Sequence, residues 1–191
     1  MSNNFFALIA RMKYIERWAL MRNTSKENIA EHSFFVSLLA HALACIKRDV
    51  FGEECSPDKA ASLALLHDAS EILTGDMPTP IKYYNPEIRR IYGEIEKTAN
   101  ERLINALPDT LAPAYREMLN VPEEYVPIIK AADKLSALIK CIEEKNSGNA
   151  EFARAEESTL ASLKAMNLKE ADYFIEHFIP AFRLTLDELG E

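Results

Sequence analysis

The stretch NIAEHSFFVSLLAHALACI, residues 28–46, reads as a helix with a marked beginning. Asn28 suits the N-cap, and Glu31 stands at the third helical position in a variant of the capping box. Apolar side chains then recur at helical spacing to about Arg48. His32 falls in the first turn, against the positive end of the helix dipole, which favours the neutral imidazole that a metal ion requires. His41 follows nine residues later and, at about 100° per residue, points roughly 180° away. The two histidines cannot face one site, so His41 is assigned to structure.

A second start lies downstream, where Ser56, Pro57 and Asp58 give the order cap, proline, acid. The helix it opens is predicted to run through Ile72 and to close at Gly75. Asp68 in that segment follows the apolar run Leu63, Ala64, Leu65, Leu66, which predicts a partly buried carboxylate, costly unless a cation or donors compensate it. Neighbouring helical residues diverge by about 100°, so His67 and Asp68 can both reach one ion, and Glu71 lies on the His67 face as a nearby base. A His-Asp dipeptide alone is weak evidence, because chance supplies one in about six chains of this composition. The plain alternative is a satisfied core histidine beside an exposed ion pair. Asp133, in PIIKAADKLSALI at 127–139, has apolar residues on almost every side; its carboxylate points inward or pairs locally with Lys130 or Lys134. Such a mixed His and carboxylate set suits Mn, Co, Mg, Fe or Zn without choosing among them. His177, in YFIEHF, has no ligand partner at suitable spacing and reads as packing.

The rest of the chain extends the helical pattern. Gly is scarce at five residues, strand-like alternation is hard to find, and the expected class is all-α. Other helices are predicted near 3–17, 87–106, 109–119, 124–146, 150–165 and 168–189, with prolines at 78 and 80, 108 and 113, and 122 and 127 as interruptions. A chain of 191 residues suits a single domain, 1–191, with its own hydrophobic core. No uninterrupted apolar stretch approaches a membrane span, and FFALIA runs into Arg11 and Lys13 without a signal-peptide pattern, so a cytoplasmic protein is expected. Cys45, Cys55 and Cys141 are odd in number and read as free thiols. The formal charge of -8 argues against binding a nucleic-acid polymer, but not against a small phosphate-bearing ligand, whose site one metal ion and a few cations can make positive.

The ordered set His32, His67-Asp68 and Asp133 resembles the HD-domain superfamily of metal-dependent phosphohydrolases. ERWALMRN at 16–23, EHS at 31–33, HDASEILTGDMPTPIKY at 67–83 and AADKLSALIKCIEE at 131–144 are more specific, and look like the bacterial YfbR-type 5'-deoxynucleotidases from Phe5 to Leu189. The resemblance implies an HD-type helical bundle in which His32, His67, Asp68 and Asp133 hold a divalent ion. It also implies a deoxyribonucleoside 5'-monophosphate as substrate and a homodimer. By the same likeness Arg17, Trp18, His32 and Asp133 contact the substrate. Asp76, Thr79, Pro80, Ile81 and Lys82 line its pocket, Glu71 serves in acid-base catalysis, and Arg17 stabilises the reacting phosphoryl group. Ala19 departs from the family pattern, which has Pro there, and puts the local backbone of Arg17 and Trp18 in question. The guanidinium fork suits phosphate oxygens, and the Trp18 ring offers a wall that excludes a ribose 2'-hydroxyl. The competing readings are an HD phosphohydrolase with another nucleotide substrate and a nucleotide-binding regulator that no longer turns over. No Gly-Tyr-Pro follows His67-Asp68, as it would in some of those relatives. The aromatic segment YFIEHFIPAFRL serves either as the dimer interface or as core.

Overall fold

The structure is a computed structural model that describes residues 3–82 and 84–190. Tyr83, the last residue of the run at 67–83, lies outside them, as do positions 1, 2 and 191 of the expected domain. Among the described residues the secondary structure is helical, apart from one isolated bridge between Glu16 and Asn28. In chain order the α-helices are α1 (Phe5–Ile9), α2 (Ile29–Cys45), α3 (Pro57–Ala64), α4 (Glu71–Thr74), α5 (Thr79–Lys82), α6 (Pro86–Ile104), α7 (Ala112–Leu119), α8 (Val126–Asn146), α9 (Ala153–Lys164), α10 (Lys169–His177) and α11 (Leu186–Leu189).

The start of α2 forms as its sequence demands: Asn28 accepts from the backbone N–H groups of Ala30 and Glu31, and the Glu31 carboxylate accepts from the Asn28 N–H. This reciprocal cap fixes the entry of the chain and hence the position of His32 one turn on. Ser56 caps α3 on the Lys59 N–H with Pro57 in the first turn. α2 lies between α3 and α8, and Ala40, Ala44, Ala60 and Ala64 are completely buried where the helices approach. Val36, Leu39 and Leu43 of α2 then pack with Leu63 of α3 and with Ile128, Leu135, Leu138 and Ile142 of α8. Each such side chain taken fully out of water contributes about 1.5–3 kcal/mol, so this cluster dominates the rigidity of the scaffold. A smaller cluster seats Phe5 against Leu66, Ala69, Leu103, Ile104, Leu107 and Leu119.

Three predicted helices are broken. The first stops at Tyr14 after a 3-10 turn (Ala10–Tyr14), because Ile15 turns extended and its carbonyl accepts from the Ile29 N–H, while the Arg17 N–H donates to the Glu27 carbonyl. The segment predicted from 56 to 72 leaves regular α-helix at Ala64: from His67 to Leu73 its backbone bonds step back three residues instead of four, and α4 follows. The 168–189 segment splits at Pro180, which has no N–H to donate and crowds the Glu176 carbonyl. In that segment Phe174 and Ile179 are buried in the main core while Phe178 is half exposed, so most of its apolar surface is internal.

Residues Ile29–Val50, α2 with its terminal π turn, span 22 residues and are long and apolar enough to cross a membrane, with a mean hydropathy of 1.6 over the most apolar 18-residue window. Half of that window is buried inside the fold, as a central core helix requires.

Candidate active site

His32 from the first turn of α2, the His67-Asp68 pair from the break after α3, and Asp133 from the middle of α8 meet at one point. His32 Nε2 lies 3.1 Å from Asp133 Oδ1 and 3.5 Å from Asp68 Oδ2, and His67 Nε2 lies 3.1 Å from the same Asp68 oxygen. Two ligand atoms about 2.1 Å from one ion stand about 3.0 Å apart at a right angle and about 3.4 Å apart at the tetrahedral angle. The three separations are those of neighbouring ligand atoms around a cation: His32, His67 and Asp68 offer ligand atoms all within 4.8 Å of one another, and Asp133 joins them through His32. Both Nε2 atoms are buried and have no hydrogen-bond partner of acceptable geometry among the described residues, a costly state that a metal ion would relieve. Their outer nitrogens are committed: His67 Nδ1 donates to the Ala64 carbonyl at 2.8 Å, and His32 Nδ1 lies 3.1 Å from Ser136 Oγ. A carbonyl only accepts, so the proton of neutral His67 sits on Nδ1 and its Nε2 lone pair faces Asp68. This bond also explains the helix break, since the Ala64 carbonyl serves the His67 imidazole and backbone N–H together.

The electrostatics agree. Burial pushes the His67 imidazole down, but the carboxylates of Asp68 and Asp133 outweigh it and hold the group at about 9. Burial likewise raises Asp68, yet His67, His32 and Arg17 drive it well below the usual carboxylate range. Asp133 is opposed by burial and lowered by His32. The cluster thus favours positive charge at its centre, and a divalent ion supplies more of it than a proton.

Arg17 and Trp18 complete one side. The Arg17 guanidinium, 13% exposed, reaches Asp68 Oδ2 at 3.3 Å and Glu27 Oε2 at 3.2 Å. Burial works against its charge, and Asp68, Asp133, Glu27 and Asp76 more than restore it. Glu27 Oε2 also accepts from the Trp18 indole N–H at 3.0 Å, so one carboxylate orients both side chains. Trp18 has φ of 60°, a left-handed conformation that costs a bulky residue about 1–3 kcal/mol and persists only where its surroundings impose it. Here its carbonyl accepts from the Met21 N–H and the Asn23 side chain. The ring packs on Phe152 with centroids 5.3 Å apart. Ala19 itself is exposed, and its neighbours stay anchored without a proline.

The model of the 5'-deoxynucleotidase YfbR-like family matches residues 4–182. The chain belongs to the YfbR-like 5'-deoxynucleotidase family. It is 47% identical over 191 residues to the 5'-deoxynucleotidase of Vibrio cholerae serotype O1, covering 98% of each chain. It is likewise 47% identical over 192 residues to the 5'-deoxynucleotidase ECA3034 of Pectobacterium atrosepticum, covering 99% of this chain and 96% of that one. Among solved structures, an HD-domain phosphohydrolase of Listeria innocua superposes with a TM-score of 0.80 at 25% identity, over 94% of this chain and 88% of that one. A cyanophage S-2L HD phosphohydrolase bound to dA and one catalytic zinc ion shares the fold, with a TM-score of 0.68 at 22% identity over 94% and 96% of the two chains.

Within this YfbR-like frame, the remaining expected residues fall at different depths. Glu71 is buried, one of its oxygens has no hydrogen-bond partner among the described residues, and burial, then Asp68 and Asp76, push it up to about 9 against Arg17 and Lys82. Asp76 is raised by burial and partly relieved by Arg17. Lys82 donates to Glu96 Oε1 at 2.8 Å and sits 4.7 Å from the centre of the Tyr92 ring, so its charge is shared with α6. Thr79, Pro80 and Ile81 form the exposed side of α5. His41 faces Asp58 and Cys45, away from the cluster, and His177 packs on Tyr173. The sequence reading overlooked Glu27 and Ser136. Ser136 was detectable, because it stands three residues after Asp133 on the same helical face. Glu27 carries no such signal; only the closure of residues 15–29 brings it to Arg17.

Proposed function

We propose that this protein hydrolyses deoxyribonucleoside 5'-monophosphates to deoxyribonucleosides and phosphate, with His32, His67, Asp68 and Asp133 holding one divalent cation. The observation that carries the proposal is the pair of buried, unpartnered imidazole Nε2 atoms converging with the carboxylates of Asp68 and Asp133. Family membership directs that centre to a nucleotide monoester. Mn, Co, Mg, Zn and Fe all suit the donor set. When bound, the cation supplies Lewis acidity toward a phosphoryl oxygen and makes water a stronger nucleophile near neutral pH.

The side chains divide the remaining work. Arg17 presents its planar fork to the phosphate and keeps its charge through burial, so it stabilises the negative charge that grows on the phosphoryl oxygens as the P–O5' bond breaks. The leaving O5' atom needs a proton. Glu71, held near 9 by its surroundings, carries one at neutral pH and suits the role of general acid; a bound cation lowers that value toward working pH. Trp18 walls the sugar against a 2'-hydroxyl, and Asp76 beside its backbone suits the 3'-hydroxyl. Thr79, Pro80, Ile81 and Lys82 border the outer part of the pocket, with Lys82 adding positive charge. The unit that acts is the single domain 1–191, placed in the cytoplasm and working as a homodimer.

The test is phosphate release from deoxyribo- and ribonucleoside 5'-monophosphates by chelated protein resupplied with Mn, Co, Mg or Zn, beside Asp68→Ala. Metal-dependent release from the deoxy series, absent in the variant, is the expected result. No release from any monophosphate would overturn the reading in favour of another phosphoryl substrate or a regulator.

A further inference from the structure

Residues 15–29 form a loop that is closed at its base and pinned at its tip. The base is backbone: Arg17 N–H donates to the Glu27 carbonyl, Ile29 N–H to that of Ile15, and Glu16 bridges to Asn28. The tip is held by one side chain of α8. Glu144, 1% exposed, accepts from the Thr24 N–H at 2.8 Å, the Thr24 hydroxyl at 2.7 Å and the Ser25 N–H at 3.1 Å. Its charge is matched by Lys140, one turn earlier on α8, which donates to it and to the Ser25 carbonyl. Asn149 adds a further tie, donating to Glu144 Oε2 and to the Arg22 carbonyl.

Asn149 also caps the short 3-10 turn Ala150–Phe152, and Phe152 is the completely buried platform under the Trp18 ring. A single carboxylate therefore couples the tip of the Trp18 loop to the platform on which its indole rests. Nothing in the catalytic cluster needs this pair: neither Lys140 nor Glu144 touches His32, His67, Asp68 or Asp133. Burying an ammonium and a carboxylate is costly unless their geometry is fully satisfied, and here every donor comes from this loop, its platform or Lys140.

We infer that Glu144, neutralised by Lys140, is a positioning residue for sugar selection: it locks the 22–25 tip onto α8 and so holds the Trp18 wall where a 2'-hydroxyl would collide with it. The inference rests on the proposed nucleotidase reading. The physical reason is that exclusion by a clash works only while the wall cannot retreat. Trp18 already sits in a strained left-handed backbone, and it relaxes if the surroundings that impose the strain are loosened. A misplacement of about 1 Å from a change outside the chemistry is enough to alter rates by up to about 100-fold.

The experiment uses the full chain reconstituted with Mn, and compares Glu144→Gln and the milder Thr24→Val with the unaltered protein. Three quantities are read: kcat/KM for 2'-deoxyadenosine and adenosine 5'-monophosphates, Mn affinity, and acrylamide quenching of the fluorescence of Trp18, the only tryptophan. The expected result is a deoxy-to-ribo ratio lowered by about tenfold, mainly through a gain on the ribonucleotide, with stronger quenching and unchanged Mn affinity. Thr24→Val should shift both readouts in the same direction by less, and carries the test if Glu144→Gln does not fold. Equal loss on both sugars, or a ratio within twofold of the original with unchanged quenching, would overturn the inference and leave Glu144 a stabilising residue only. If the unaltered protein releases no phosphate from either nucleotide, the nucleotidase reading fails; quenching then decides by itself whether Glu144 holds Trp18, and unchanged quenching rejects that too.

Discussion

Replacing Ser136 with Ala probes the metal centre through a residue that would never touch the metal. Ser136 Oγ is 3.1 Å from His32 Nδ1 in a region where His32 is 0% and Ser136 2% exposed, so water cannot replace the lost partner. A buried polar atom left unsatisfied costs about 1–3 kcal/mol. The nearest substitute is Glu27 Oε1 at 3.9 Å, too far for a hydrogen bond without moving the imidazole off the Asp133 and Asp68 oxygens. Both routes weaken the ligand, and loss of such an outer partner typically lowers metal affinity about 10–100-fold, or about 1.4–2.7 kcal/mol. The assay is competitive titration of Mn or Co against a chelator, run beside His41→Ala. That histidine faces Asp58 on the other side of α2, and its removal should leave affinity unchanged. Affinity of Ser136→Ala within twofold of the original, with the fold intact, would refute the idea that Ser136 orients the His32 imidazole.

Trp18→Ala should raise kcat/KM for ribonucleoside monophosphates by about tenfold or more while sparing metal affinity; unchanged sugar selectivity would remove Trp18 as the excluding wall. In chelated protein, Glu71 is held at about 9 against a carboxylate's ordinary value near 4.5. Its contribution to stability is full below the ordinary value and is lost as pH rises through the folded one. Glu71→Gln should therefore raise Tm at pH 8 more than at pH 5, and an equal shift at both would contradict the burial argument. Leu135→Ala, at the α2–α8 contact, should cost about 3 kcal/mol in urea unfolding, about 10 °C in Tm, and a cost below about 1 kcal/mol would show that the site collapses on the cavity.

Local chemistry wrote much of this protein into its sequence. The Asn28–Glu31 capping box and the Ser56-Pro57 start act within one turn, so they fixed the entries of α2 and α3 without help from the rest of the chain. Helical phase alone sent His32 and His41 to opposite sides. The apolar surround of Asp133 left two outcomes open, and only the packing of α8 against α2 brought its carboxylate to His32 rather than to Lys130 or Lys134. Tertiary structure also decided what periodicity got wrong. His67 and Asp68 sit on a tightened break because the imidazole bonds the Ala64 carbonyl, a side-chain interaction no apolar spacing encodes. Glu27 and Glu144 act on partners 10 residues and more than 100 residues away, and Trp18 holds a backbone conformation its own preferences oppose. Short-range preferences are additive along the chain and can be read there; a buried charge finds its partner only after the helices have closed around it.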